Sequence, residues 1–143
     1  MNSVAVSALH LAAFLTFVAA LLHYACIAWG APGFRFLGAG EPIAQMAERG
    51  HWYPTFISIA IGTVLLVSAA YALSAAGAIA RLPLQRLILP AIAAVFLLRA
   101  VAFPWLKPIF PDNSRLFWLL TSGICLLIGS LYAFGIHAVW EQL

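Results

Sequence analysis

The sequence predicts an all-α integral membrane protein, an antiparallel four-helix transmembrane bundle with a short interfacial helix in the first loop. Three observations carry the prediction. Of 143 residues, 65% are hydrophobic and only 8% charged, with a mean hydropathy of +1.05, whereas ordinary soluble domains carry about 25% charged residues. The apolar residues gather into four runs long enough for a hydrocarbon core of roughly 30 Å, which needs about 20 helical residues. The five tryptophans fall at the ends of those runs, where an interfacial aromatic belt belongs.

The first span runs from about Val4 to Trp29 and stops at the breaker cluster Gly30, Pro32 and Gly33. It lacks a basic leading region, and its length exceeds the apolar part of a signal peptide, so it is read as a retained helix. The second span covers about 52–76, from Trp52 or Pro54 to Ala76, with Gly77 as its stop signal. The third covers about 84–105, bracketed by Pro83 and by Pro104, Pro108 and Pro111. The fourth covers about 115–140. In the long first loop, Glu41 to Arg49 reads as a short helix: Gly40 precedes it, Glu41 and Pro42 suit a first turn, and Gly50 ends it. Consecutive spans alternate in direction. The first loop and the Leu106 to Ser114 loop therefore share one side of the membrane, opposite both termini and the Ala78 to Pro83 turn. Lys and Arg are nearly balanced between the two sides, and the termini are assigned to the cytoplasm.

Charge and motifs exclude several classes. The net charge of +3 comes from seven Lys and Arg scattered singly, with no basic stripe for nucleic acid. Cys26 and Cys125 lack CxxC spacing and sit inside apolar runs, so they read as small buried residues and no metal site is expected. No serine-hydrolase elbow, HExxH pair or phosphate loop occurs. His10 and His137 invite a haem between two histidines, but the lipid-like face around His10 argues against it, and no cofactor is expected.

Polar side chains inside the spans locate the candidate site. At 100° per residue His23 shares a face with Ala5, Ala12, Thr16, Ala19 and Ile27, while His10, Phe14, Phe17, Leu21 and Tyr24 lie opposite. Small residues mark close helix contacts in membranes, so the His23 face should point inward. A guanidinium in an apolar span costs about 2.5 to 3.5 kcal/mol at a helix centre, so Arg99 needs a partner, water or a path to the headgroups. Arg99 precedes Trp105 by six residues and His23 precedes Trp29 by six, placing both about 9 Å below the long-loop surface. Ser58, Thr121 and Ser122 fall at a similar depth on the other two spans. The plainer reading is a packing layer from which Arg99 snorkels to the headgroups. The sharper one is a ligand pocket opening towards the first loop, with Arg99 as anionic anchor and His23 as a hydrogen-bonding or proton-exchanging group. In that reading Glu41 is a counter-ion brought in by the loop, and His51 and Tyr53 sit on the rim.

The stretches HYACIAWGAPGFRFLGAGE from His23 to Glu41, YPTFISIAIGTVLLVSAAYALSAAGAIARLPLQRL, LLR ending at Arg99, and FWLLTSGICLLIGSLY together give the chain its likeness: it resembles small bacterial four-helix membrane proteins of the DoxX-like kind. The resemblance implies a four-helix bundle in a bacterial inner membrane and, for some such relatives, an association with quinone-linked sulfur redox chemistry.

Three function classes follow. The first is a membrane module that binds a lipid-like or amphipathic small molecule, hydrophobic or anionic, or that serves as a partner subunit or homo-oligomer among membrane lipids. The second is a membrane enzyme or quinone-linked redox subunit using His23, Glu41 and Arg99. The third, a small oligomeric transporter, is disfavoured by the lack of a Gly- or Pro-broken helix in the first and fourth spans.

Overall fold

In the computed structural model, which describes residues 2–143, every regular element is helical. Helix α1 (Ser3–Trp29) starts where the Asn2 side chain accepts the Val4 N–H, and it ends at Gly30, whose φ is +78°. Two short helices follow in the first loop, α2 (Ala31–Phe36) and α3 (Glu41–Glu48). The expected loop helix is therefore present as α3. The Gly30, Pro32, Gly33 cluster, expected only to break the chain, also founds α2. Proline suits a helix's first turn, where no N–H is required, and a Cβ added at Gly33 would come within 3.0 Å of the Trp29 ring.

Helix α4 (Trp52–Ala75) is capped by His51 and α7 (Arg115–Val139) by Ser114, each side chain accepting a backbone N–H of the first turn. With α1, these are, among the described residues, the three helices long and apolar enough to cross a membrane. The expected span 84–105 is built differently. It divides at Ala102 into α5 (Gln85–Val101) and the single turn α6 (Phe103–Leu106). Pro104 has no N–H to continue the ladder and its ring crowds the preceding turn, so the helix is restarted rather than extended. A 3-10 turn, Trp140–Gln142, closes the chain.

Helix α1 lies between α4 and α7, and α5 runs along α7; α4 and α5 touch only sparsely. Each close contact has a glycine facing a large side chain. A Cβ on Gly62 would come within 2.7 Å of the Tyr24 ring, one on Gly135 within 2.5 Å of Leu9, and one on Gly129 within 2.8 Å of Leu97. Small residues allow backbones to approach in this way where lipid supplies no hydrophobic drive. No such pair joins α4 to α5.

As the small-residue pattern of α1 predicts, Ala5, Ala12 and Thr16 are fully buried and Phe14, Phe17 and Leu21 are exposed, but Ile27, expected on the inward face, is exposed, and Tyr24, expected opposite, packs over Gly62 of α4. At the centre Tyr132 is wholly buried and joins three helices. Its hydroxyl donates to the Ser68 carbonyl at 2.9 Å, and Thr16 Oγ1, 3.2 Å away, also lies 2.6 Å from the Ala12 carbonyl. Two hydroxyl protons thus serve three contacts, with the Thr16 proton shared. At the far end Ser74 and Tyr71 pin the short turn to α4, through bonds to Ala80, Leu82 and Pro83.

Gly129→Val should destabilise the protein by about 1 to 3 kcal/mol, because the added methyls meet Leu97 and its backbone N rather than a yielding side-chain tip. Reversible unfolding in mixed micelles checks this, with Gly123→Val, at an open position, as the control expected to change little.

Candidate functional site

The four long helices and the first loop enclose a cavity of about 500 Å³ whose lining includes His23, Ser58, Tyr53, Arg99 and Trp118. A second, more apolar groove of about 640 Å³ follows the sparse α4–α5 seam, and the two share His23, Ile61 and Arg99. The layer expected from counting residues inward from the tryptophans is thus assembled from all four long helices. Thr121 and Ser122 contribute from behind: neither lines the cavity, but both hold Arg99.

Arg99 occupies the last turn of α5, where the exposed carbonyls of a helix end favour a cation. Its Nη1 donates to Ser122 Oγ at 3.3 Å and its Nη2 to Thr121 Oγ1 at 3.1 Å. Thr121 Oγ1 can accept because its own proton goes to the Phe117 carbonyl at 2.8 Å. The guanidinium carbon lies 4.9 Å from the Trp118 ring centroid, within cation–π range. Three of the five guanidinium N–H groups have no protein partner, and among the described residues no carboxylate is within ion-pair distance of Arg99. Its surroundings offer two hydroxyls and a ring, and no negative charge.

His23 is oriented from its own helix, with Nδ1 2.7 Å from the Ala19 carbonyl. A carbonyl can only accept, so Nδ1 carries the proton. Nε2 remains without a partner, an acceptor in the neutral ring and a donor once the ring is protonated.

Two expected site residues are placed elsewhere. Glu41, expected as the counter-ion of Arg99, is bound by Arg35, whose Nε and Nη2 donate to its two carboxylate oxygens at 3.1 and 2.7 Å; Nη2 also meets Glu48 at 2.7 Å. The reason lies in α3, which turns Ala44 inward and Ile43 towards the cavity while its charges stay on the outer face. His51 caps α4 by accepting the Tyr53 N–H and stacks on Trp52, and it does not line the cavity.

Trp118 is the residue that sequence reasoning misplaced. Trp29, Trp52, Trp105 and Trp140 are exposed as a belt requires, but Trp118 is only 3% exposed, lines the cavity, and keeps a buried Nε1–H with no hydrogen-bond partner. A signal for it existed. Six of the eight buried positions of α7, residues 118, 122, 129, 132, 136 and 139, follow alternating spacings of four and three, broken only where Cys125 is half-buried, and Trp118 opens that stripe.

The first loop is latched over the cavity by the loop between α6 and α7. Asn113 Nδ2 donates to the Gly38 carbonyl at 3.0 Å, and the Glu41 N–H donates to Asp112 Oδ2 at 2.9 Å. Gly38, at φ +79°, lies against the Phe117 ring so closely that any Cβ would collide with it. Outside, Arg35 holds the Glu41 carboxyl below its ordinary value, chiefly by hydrogen bonding, and the same pairing raises Arg35. A carboxyl depressed in the folded state stabilises it above the ordinary glutamate range and loses that contribution as pH falls through the depressed value. Spin labels at positions 45 and 116 should therefore give a narrow distance distribution at neutral pH and a broader one below the carboxylate range. Arg35→Ala should broaden it already at neutral pH.

No family model, no curated protein and no solved structure matches this chain, so the chemistry of the cavity carries the functional reading.

Proposed function

We propose that this chain is a four-span protein of a bacterial inner membrane, with both termini in the cytoplasm, that binds an amphipathic small molecule bearing an anionic head in the cavity beneath the first loop. The observation that carries the reading is Arg99. A guanidinium facing a largely apolar cavity, held by two neutral hydroxyls with three further donors and no carboxylate near, is suited to an anionic head group.

The fourth span is α5. Its 17 residues rise about 26 Å, slightly short of a typical hydrocarbon core, a mismatch that local thinning of the bilayer accommodates at small cost. Its outer face carries Leu98 and Val101, both strongly exposed and outside the α4–α5 groove, as a lipid-facing surface requires. An even number of spans keeps the termini together.

Binding is favoured over catalysis by the position of Glu41. With its carboxylate tied to Arg35, Glu41 leaves the cavity lining without an acidic side chain, and no carboxylate is paired there with His23.

Tags at the two termini and in the 78–83 turn should report from one side of the membrane, and tags in the first loop from the other; termini on opposite sides would remove a span. Native mass spectrometry of protein extracted in its own lipids should retain a stoichiometric anionic amphiphile that is lost in Arg99→Ala with the fold kept. Arg99→Lys should retain part of it, because an ammonium keeps the charge but not the planar fork. Retention of a second polypeptide instead, with no small molecule, would favour a partner-subunit role.

A further inference from the structure

Two features of the cavity are not used by an anchoring cation alone. The first is the Trp118 indole. A buried N–H without a partner loses its hydrogen bond to water and gains nothing in return, yet this one belongs to a ring that lines the cavity and carries the Arg99 guanidinium on its face. The Arg99 fork is open to the cavity, and the indole N–H beside it, closed off in the ligand-free chain, is a second donor that a group supplying only acceptors would satisfy. The second is the α4–α5 seam. Its groove is apolar, shares Arg99 and His23 with the cavity, and continues along α5 as far as Leu87. From Arg99 to Leu87 is about 18 Å of helix, the reach of an extended hydrocarbon chain of roughly 14 carbons at C–C distances near 1.5 Å.

Resting on the binding reading above, we infer that the ligand is a long-chain fatty carboxylate, its head held by Arg99 and the Trp118 Nε1–H, and its single hydrocarbon chain lying in the α4–α5 groove, reached sideways from the bilayer. The charge pattern selects this occupant. A carboxylate presents two acceptor oxygens in the plane that a guanidinium matches, and no acidic side chain lines either compartment to repel it. The geometry selects one chain rather than two, because the groove is a single seam bounded by Val64 and Ser68 on α4 and by Ile88 and Ile92 on α5. The latched first loop closes the aqueous side, whereas α4 and α5 are the one neighbouring pair without a glycine-set contact, so the seam is where a chain passes between helices.

The test uses the full chain in phosphatidylcholine nanodiscs at mildly alkaline pH, with hexadecanoate as the probe and hexadecanol and dihexadecanoyl phosphatidate as comparisons. Hexadecanoate should bind saturably at one per chain, and both comparisons at least about tenfold more weakly, the scale of one lost charged hydrogen bond. Trp118→Phe should weaken hexadecanoate about tenfold while raising the thermal midpoint of the ligand-free protein, because the orphaned N–H is gone. A purely structural tryptophan would move both in the same direction. Ala91→Trp, or Ala91→Leu should the larger ring prevent folding, fills the groove and should weaken hexadecanoate with the fold kept, whereas Leu98→Trp, outside the groove, should not. Phosphatidate binding as tightly as hexadecanoate, or full hexadecanoate affinity in Trp118→Phe or in the folded Ala91 variant, overturns this inference and leaves the anionic-amphiphile reading standing. Unchanged hexadecanoate binding in Arg99→Ala overturns both.

Discussion

Close backbone approach is the constraint on which the rest of this structure depends. In an apolar surrounding, burying another leucine gains little, and helices associate where small residues let their backbones meet. Gly62 beneath Tyr24, Gly135 beneath Leu9 and Gly129 beneath Leu97 fix α1 against α4, α1 against α7 and α5 against α7. Three contacts are enough to order four helices, and they leave the fourth side of the square loosely joined. The groove along α4 and α5 is thus a consequence of where the glycines lie. Tyr132 then locks the centre, because its hydroxyl is satisfied only if α1, α4 and α7 are all in place.

Polar groups inside the bundle fall into two kinds. Those near Tyr132 and Ser74 are saturated by protein partners, as buried polar groups usually are. Those near Arg99 are not: three guanidinium N–H groups, the His23 Nε2 and the Trp118 Nε1–H belong to residues that line one space. A fold that satisfies one set so fully and leaves the other open concentrates its unmet hydrogen-bonding capacity in a single layer. Functional sites commonly depart from the otherwise consistent pattern of a fold in this manner.

Much of this was legible in the sequence, for identifiable reasons. The inward face of α1 follows from Ala5, Ala12 and Thr16 at helical spacing, and Arg99 marks itself by its cost in an apolar run. Ser58, Thr121 and Ser122 could be set at its depth by counting from tryptophans, because a helix rises uniformly. Trp118 was ambiguous: three residues into α7, it satisfies both a belt and an inward stripe, and only the packing of α5 decides between them. The pairing of Glu41 was out of reach, since its partner Arg35 lies on α2, a helix that Gly30, Pro32 and Gly33 seemed to forbid. The division at Ala102 shows the converse, because Pro104 was read as the edge of a span when it also restarts the helix as α6.

The contact between Gly38 and Phe117 has an evolutionary corollary. The lid meets α7 through a residue that cannot carry a Cβ, and the ring filling that space sits next to Trp118 in sequence and meets it edge to face, 5.6 Å between centroids. Drift at position 38 is therefore not free. A side chain at 38 is strained by the positive φ whatever stands at 117, and a smaller residue at 117 opens a void beneath the glycine, so change in the loop is constrained by a helix 79 residues further along.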